Sequence, residues 1–277
     1  MRQRWFWLLV LTIASSARAA DPVTIEEVVL ANPPQHLHIA KIDLRDPAVS
    51  VHVIRAGGAA TKPSRWQTTL DLPTIVSQRE KLSVAVNGDF FMADRTIDLF
   101  GKRTPYFVGN LASVCGWAMS DGALWSTTPA AASLIEDQNH RVRIGRLDRV
   151  PADAHDMVSG SSMILQNGRN VAPDGGRDGE PYPRTAAGID AMADALVLVV
   201  VDGHRPRDRT GMTLRQLGDQ LIQLGCSDAL NLDGGGSSVM VADGKLISLP
   251  SDGRNLPLDP IVQRPVACVV GIRVDKR

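Results

Sequence analysis

Cysteine is scarce in this chain of 277 residues: Cys115, Cys226 and Cys268 allow one intramolecular disulfide at most and have no metal-ligand spacing. Each sits in an apolar strand or helix-end context, where a buried free thiol is the expected state. Net charge is missing too, because 30 Lys and Arg balance 30 Asp and Glu. With no basic excess, and the arginines of the His204–Arg209 stretch confined to a few positions, nucleic acid is not expected as a partner. Aromatics make up only 4% of the residues, so each one near a polar motif carries weight. Internal repeats, low-complexity tracts, a G-x-S-x-G elbow and a His-rich metal motif are all lacking. Beyond the N-terminus no segment approaches the roughly 18 apolar residues that span a bilayer, so stable membrane insertion is not expected.

What is there begins with a secretory signal. Arg2 and Arg4 supply a positive region, Trp5–Ala14 is an apolar stretch too short to span comfortably, and Ala17-Arg18-Ala19 places small residues where a signal peptidase reads. Cleavage after Ala19 and a periplasmic or secreted mature protein are expected. No cysteine near that point could take a lipid anchor. Residues 20–277 show no sharp composition break, so a single domain is expected, with strands over 36–80 as its N-terminal extension.

The most informative stretch is Asp228–Ser238, D-A-L-N-L-D-G-G-G-S-S. A short apolar strand ends in a carboxylate, three glycines and two hydroxyls. Strand alternation puts Asn231 and Asp233 on one face and Leu230 and Leu232 on the other. Gly234, Gly235 and Gly236 permit close backbone approach, which suits either an oxygen-binding loop or a tight turn. Upstream, Leu196–Val201 is a continuous apolar run of the kind a strand covered on both faces requires, and it too ends in a carboxylate, Asp202. Between them, Thr213 and Gln216 form a capping box ahead of a Leu214, Leu217, Leu221 and Leu224 stripe, and Gly225 closes the helix. Strand, helix and strand in this order predict a right-handed βαβ unit with parallel neighbours, which would bring Asp202 and Asp233 to one sheet edge. Leu82–Val86 predicts a third strand, ending in Asn87-Gly88-Asp89 followed by Phe90 and Phe91. The two rings suit either sugar stacking or core anchoring.

Elsewhere, Leu37–Arg45 and Val49–Ala56 predict two strands joined as a hairpin or a β-corner around Asp46-Pro47. Leu70–Lys81 predicts a helix interrupted at Pro73, and Gly116–Ser126 a hairpin turning at Asp121-Gly122. Asn167-Gly168 predicts a second turn, and Pro173–Pro183 a surface loop placed to cover the site. The expected fold is α+β: a mixed sheet containing the βαβ unit, with helices packed on it and N-terminal β-hairpins.

Six short motifs then occur in one order: N-G-D-F-F at 87–91, P-R-T-A-A-G-I at 183–189, V-V-V-D-G at 199–203, G-M-T-L at 211–214, N-L-D-G-G-G-S-S at 231–238 and R-P-V at 264–266. Together they resemble the phosphodiester glycosidase family over about residues 36–275, most strongly after Pro183. Gln263 departs from the acidic residue expected before R-P-V, and no role follows for it. The resemblance implies an exported hydrolase that cleaves the glycosidic C–O bond of a sugar-1-phosphodiester, such as a GlcNAc-1-phosphodiester, in an envelope or extracellular glycan.

Such chemistry asks for charge stabilisation of the phosphate, a carboxylate near the anomeric carbon, and activated water or a nucleophile. Asp233 is the first candidate for the essential carboxylate, followed by Asp202 and Asp89. Arg184 and Arg264 are candidates for the phosphate, although Arg264 could equally be tied to a carboxylate. Asn87, Asn231, Gly234, Gly235, Gly236, Ser237 and Ser238 are expected to contact substrate, and His204 is either a proton carrier or a solvated loop residue. Asp89, Asp202 and Asp233 could alternatively hold Ca²⁺ or Mg²⁺. Two other readings stay open: a non-catalytic glycan-binding or exopolysaccharide-assembly factor, and a metal-dependent phosphodiesterase.

Overall fold

The structure, a computed structural model, describes residues 21–61, 65–95, 105–130, 132–204, 209–252 and 262–275. The signal over 1–19 therefore lies outside the described residues. The chain opens with β1 (Val23–Ala31), β2 (Pro34–Asp43), β3 (Val49–Arg55) and β4 (Thr68–Thr69), then α1 (Pro73–Glu80). Next come β5 (Val84–Asn87), β6 (Phe91–Ala93), β7 (Leu111–Val114), β8 (Trp117–Ser120), β9 (Ala123–Thr127), β10 (Ala132–Asp137) and β11 (Val142–Arg146). They are followed by β12 (Ala154–Gly160), β13 (Ser162–Gln166), β14 (Arg169–Asn170), β15 (Arg184–Ile189) and β16 (Ala195–Val201). The chain finishes with α2 (Leu214–Gln223), β17 (Asp228–Asn231), β18 (Met240–Ala242), β19 (Lys245–Leu246) and β20 (Cys268–Val274).

These strands build a seven-stranded sheet, β1-β2-β16-β15-β17-β13-β14, and a five-stranded sheet, β19-β18-β5-β20-β3, that face each other. Their inner faces share one core: Leu196, Leu198 and Val200 from β16 pack with Val84, Val86, Val270 and Ile272 from β5 and β20. The outer face of the first sheet holds α2, whose Leu214, Leu217 and Leu221 cover Val197, Val199 and Val201. On the outer face of the second, Val76 of α1 packs with Ala85, Val241 and Val269. The Leu196–Val201 run is apolar at every position because alternate residues enter two different cores. A further five-stranded sheet, β11-β10-β12-β8-β9, meets β3, the edge strand of the second, and β17 of the first, and β4-β7-β6 forms a small one.

Several expectations hold in detail. Thr213 and Gln216 make the reciprocal capping box of α2, and Gly225 follows it at φ +88°. Pro73 starts α1, at a position where its missing N–H costs nothing. The β8–β9 turn runs through Asp121 and Gly122 at φ 47° and 74°, as a two-residue hairpin turn demands.

Others are corrected. α2 does lead from β16 to β17, but these strands are not neighbours: β15 lies between them and pairs antiparallel with both. All neighbours in the seven-stranded sheet are antiparallel, not mixed. The Arg184–Ile189 segment, R-T-A-A-G-I, lacks the β-branched run that marks a strand, so its place in the sheet is not visible in sequence. Leu37–Arg45 and Val49–Ala56 form no hairpin, since β2 pairs with β1 and β16 while β3 pairs with β20. The N-terminal hairpin is β1–β2, one strand earlier. Among the described residues no helix is long and apolar enough to cross a membrane.

Candidate functional site

β5 and β17 end side by side, each from a different sheet, and their loops are stitched together. The Asp233 N–H donates to the Gly88 carbonyl at 3.0 Å. The Asn87 amide donates to the Asp233 carbonyl at 2.6 Å. On its other side Asn87 accepts from the Thr185 hydroxyl at 2.7 Å and the Val239 N–H at 3.1 Å. Asn87, only 1% exposed, thus spends its side chain holding the Asp233 loop between the two sheets.

The three glycines have steric causes. The Gly235 N–H donates to the Pro183 carbonyl, while Ser237 and Ser238 donate to Gly234 and Gly235. Most of the loop's N–H groups are therefore used within the protein instead of converging on a ligand oxygen. A Cβ on Gly234 would press on the Pro183 carbonyl, one on Gly235 on the Tyr182 ring, and one on Gly236 on the paired side chains of Asp252 and Arg264. Gly235 also needs its left-handed φ of +64°.

Above this loop lies a pocket of about 290 Å³. Asp233, Asn231, Gly234, Gly235 and Gly236 form its floor, and Phe90, Phe91, Tyr106 and Tyr182 contribute aromatic walls. Three arginines enter it. Arg264 makes a two-pronged ion pair with Asp252, at 2.7 Å on both prongs, lies 4.2 Å from the Tyr106 ring, and points Nη1 to the Ser237 hydroxyl at 3.4 Å. Arg184, 3% exposed, is committed to main chain: it donates to the carbonyls of Met212, Arg177 and Glu180 at 2.7–3.0 Å. It therefore pins the Pro173–Pro183 loop over the pocket. Arg177, carried by that loop and exposed, lies 5.2 Å from the Tyr182 ring. A guanidinium on an aromatic face can present its donors to an anion, which suits Arg177, whereas those of Arg264 and Arg184 are taken up by Asp252, Ser237 and main-chain carbonyls.

The acids differ in setting. Asp233 is ringed by protein, which pushes its carboxyl up to about 6, against the Ser237 hydroxyl, the Arg264 charge and the Gly234 N–H, which favour the ionised form. Asp89 lies deeper, 3% exposed, with Oδ2 lacking any hydrogen-bond partner. Burial raises its pKa well above the ordinary value, and the Asp233 charge adds to the shift. Asp202 emerges at the same sheet edge as Asp233 but does not line the pocket. Its carboxylate meets His36, His38 and Arg209, each at 3.2 Å, and the Leu249 N–H at 2.9 Å.

Asn231 reaches the pocket with its amide donating to Ser161 at 2.9 Å and its Oδ1 unpartnered. Ser237 hydrogen-bonds Asp233, whereas the buried Ser238 hydroxyl has no partner. His204 stacks edge-on against Tyr182 at 4.5 Å, outside the lining, and burial lowers its pKa. Gln263 exchanges hydrogen bonds with Thr74 at the start of α1. All three cysteines are free; Cys226 and Cys268 are buried, but Cys115 is exposed, contrary to expectation. Its strand ends beside Asp89 and Asp233, and partial burial with those charges pushes the thiol up to about 11.

Ser161, Tyr106, Arg177, Tyr182 and Asp252 were not anticipated. Scarcity was a usable signal for two of them, because the chain has only two tyrosines and both line the pocket. Nothing local marks Asp252 or Ser161.

With this geometry in place, the family model for phosphodiester glycosidases matches residues 80–273. The chain belongs to that family. The match takes in β5 through nearly all of β20, and so both loops that build the pocket. The N-acetylglucosamine-1-phosphodiester alpha-N-acetylglucosaminidase of Bos taurus is 42% identical over 69 residues, which is 25% of this chain and 12% of that protein. Its zebrafish counterpart, a catalytic domain auto-inhibited by its pro-peptide, superposes with a TM-score of 0.66 at 24% identity, over 95% of this chain and 87% of that one. A hypothetical protein from Synechocystis gives 0.60 at 14% identity, over 92% and 62%. These two likenesses show the fold alone, which this chain shares with the zebrafish catalytic domain and with the Synechocystis protein.

Proposed function

We propose that the protein is an exported phosphodiester glycosidase, formed by residues 20–277 as one domain, that hydrolyses the C–O bond of a sugar-1-phosphodiester such as a GlcNAc-1-phosphodiester in an envelope or extracellular glycan. Family membership supports the reaction class. The observation that carries the reading is Asp233: a carboxyl titrating near 6, beside the Arg264 guanidinium, in a pocket walled by aromatic rings.

In this reading the bond from the anomeric carbon to the bridging oxygen breaks, and its electron pair leaves with the phosphate. Water oxygen takes its place on carbon: in a direct attack its proton passes to the Asp233 carboxylate, and in a route through a covalent intermediate on Asp233 the ester bond breaks back to the carboxylate while the proton passes to the departing phosphate. A phosphate leaves without full protonation, so the premium falls on positive charge around it. Arg264 and Arg177 supply that charge, and Arg184 holds the loop that presents Arg177. Burial pushes the Asp89 carboxyl up, which favours its neutral form beside the Asp233 carboxylate. The rings of Phe90, Phe91 and Tyr106 offer faces to the sugar, and Asn231 lies in the floor beneath it.

The test is turnover by the purified mature protein on a panel of sugar-1-phosphodiesters. Free sugar together with a phosphate monoester, both abolished in Asp233→Asn, is the expected result. Release of sugar-1-phosphate would place the cut at P–O, and binding without turnover would make the protein a recognition factor.

A further inference from the structure

A second cluster of titratable groups lies outside the lining of the pocket, where the β10–β12 sheet meets the open edge of β3. β3 pairs with β20 on one side only. On its other side the N–H groups of Val51 and Val53 donate to side chains: to Glu136 Oε1 at 3.2 Å and to Asp156 Oδ1 at 2.7 Å. Glu136 and Asp156 stand opposite each other on β10 and β12, and each is 1% exposed. Each has a second oxygen that faces away from β3's donors. Asp156 Oδ2 meets His155 Nδ1 at 2.8 Å, while Glu136 Oε2 has no hydrogen-bond partner and lies 3.9 Å from the same nitrogen.

Neighbouring residues on a strand point to opposite faces, so His155 should not reach its neighbour's carboxylate. It does so through a bulge: the register steps from Glu136–Asp156 to Asp137–Ala154, which leaves His155 as the extra residue. Among the described residues no Lys or Arg ion-pairs with Glu136 or Asp156; His140 and His155 meet them directly, and His52, with Asp121, also lies within 4.8 Å of an Asp156 oxygen. Two buried carboxylates without a fixed cation are electrostatically unbalanced, and burial raises the pKa of both.

We propose that Glu136, Asp156 and His155 form a binding site for a divalent transition-metal ion of the Zn²⁺ type. Their donor atoms all lie within 4.8 Å of one another. Tetrahedral bonds of about 2.0–2.1 Å hold ligand atoms about 3.3 Å apart, between the 2.8 and 3.9 Å separations seen here. One imidazole with two carboxylates suits such an ion better than Ca²⁺, which takes an all-oxygen shell. The ion would use the oxygens that β3 does not, so the bonds to Val51 and Val53 persist and the metal rivets the two sheets together. Glu136 lines an open cleft of about 790 Å³, and the His155 side chain is 35% exposed, which gives the ion a way in. The His36, His38 and Asp202 cluster is also within ligand reach, but Arg209 already supplies its positive charge at 3.2 Å from Asp202.

The experiment is a Zn²⁺ titration of chelator-stripped full-length protein by calorimetry, with thermal melting in parallel and Co²⁺ absorption as a coordination signature. One ion per chain, a melting temperature raised by several degrees and visible Co²⁺ bands are expected. Glu136→Gln and His155→Ala should each weaken binding at least about tenfold, and His36→Ala should leave it unchanged. His155→Ala alters a part-exposed side chain, so it carries the test even if Glu136→Gln misfolds. Absence of saturable binding, undiminished affinity in the folded variants, or loss of binding in His36→Ala alone would overturn the proposal.

Discussion

Asp233 shows how much one residue's setting can fix. Its carboxyl is raised from 3.8 to about 6, so the folded state holds a proton that the unfolded chain has already released. Stability from this group is therefore highest at acid pH, declines as pH rises from about 4 to about 6, and stays lower above. Asp233→Asn should abolish turnover while making the protein more stable at pH 7 by on the order of 1–3 kcal/mol, read by activity and chemical denaturation. A purely structural aspartate would lose stability instead. The same ionisation predicts that kcat/KM falls about tenfold per pH unit below about 6 and is level above it, measured as a pH profile of the wild type. Asp233 and Asn231 were legible in sequence because strand alternation sets them opposite Leu230 and Leu232, both in the core. Asp202 was drawn away by His36 and His38, which arrive from β2, more than 160 positions earlier; no local pattern announces that meeting.

At the scale of elements, the Gly-rich loop is an adaptor between packed side chains. Gly236→Ala would push a methyl group into the Arg264–Asp252 pair. Displacing that guanidinium by about 1 Å should lower kcat/KM by on the order of 100-fold, with only a small change in melting temperature. α2 provides the contrast. Thr213→Ala removes its capping box and should cost about 1 kcal/mol in denaturation without altering turnover, since α2 faces a core away from the pocket. The helix, its cap and β16 were legible because periodicity and capping are local signals. The position of β15 was not, because small residues replace the β-branched pattern and only pairing with both neighbours defines it. β1 escaped for a related reason: it is an exposed edge strand whose Glu26 and Glu27 blur the apolar alternation.

The whole molecule places the two loops of the candidate site at the seam between two sheets, and Asn87 is the pin across that seam. Asn87→Ala would strand the Thr185 hydroxyl, the Val239 N–H and the Asp233 carbonyl in the interior. A loss of about 3 kcal/mol in denaturation, with impaired turnover, is expected. The sequence already assigned the loops at residues 87–89 and 231–238 to one site; that they come from two facing sheets, with Asn87 bonded across the seam, is information no single strand carries. The central claim is that this site breaks the sugar C–O bond using Asp233. Hydrolysis of a sugar-1-phosphodiester in ¹⁸O water tests it most directly. The account predicts label at the anomeric hydroxyl and none in the phosphate; label in the phosphate would contradict it.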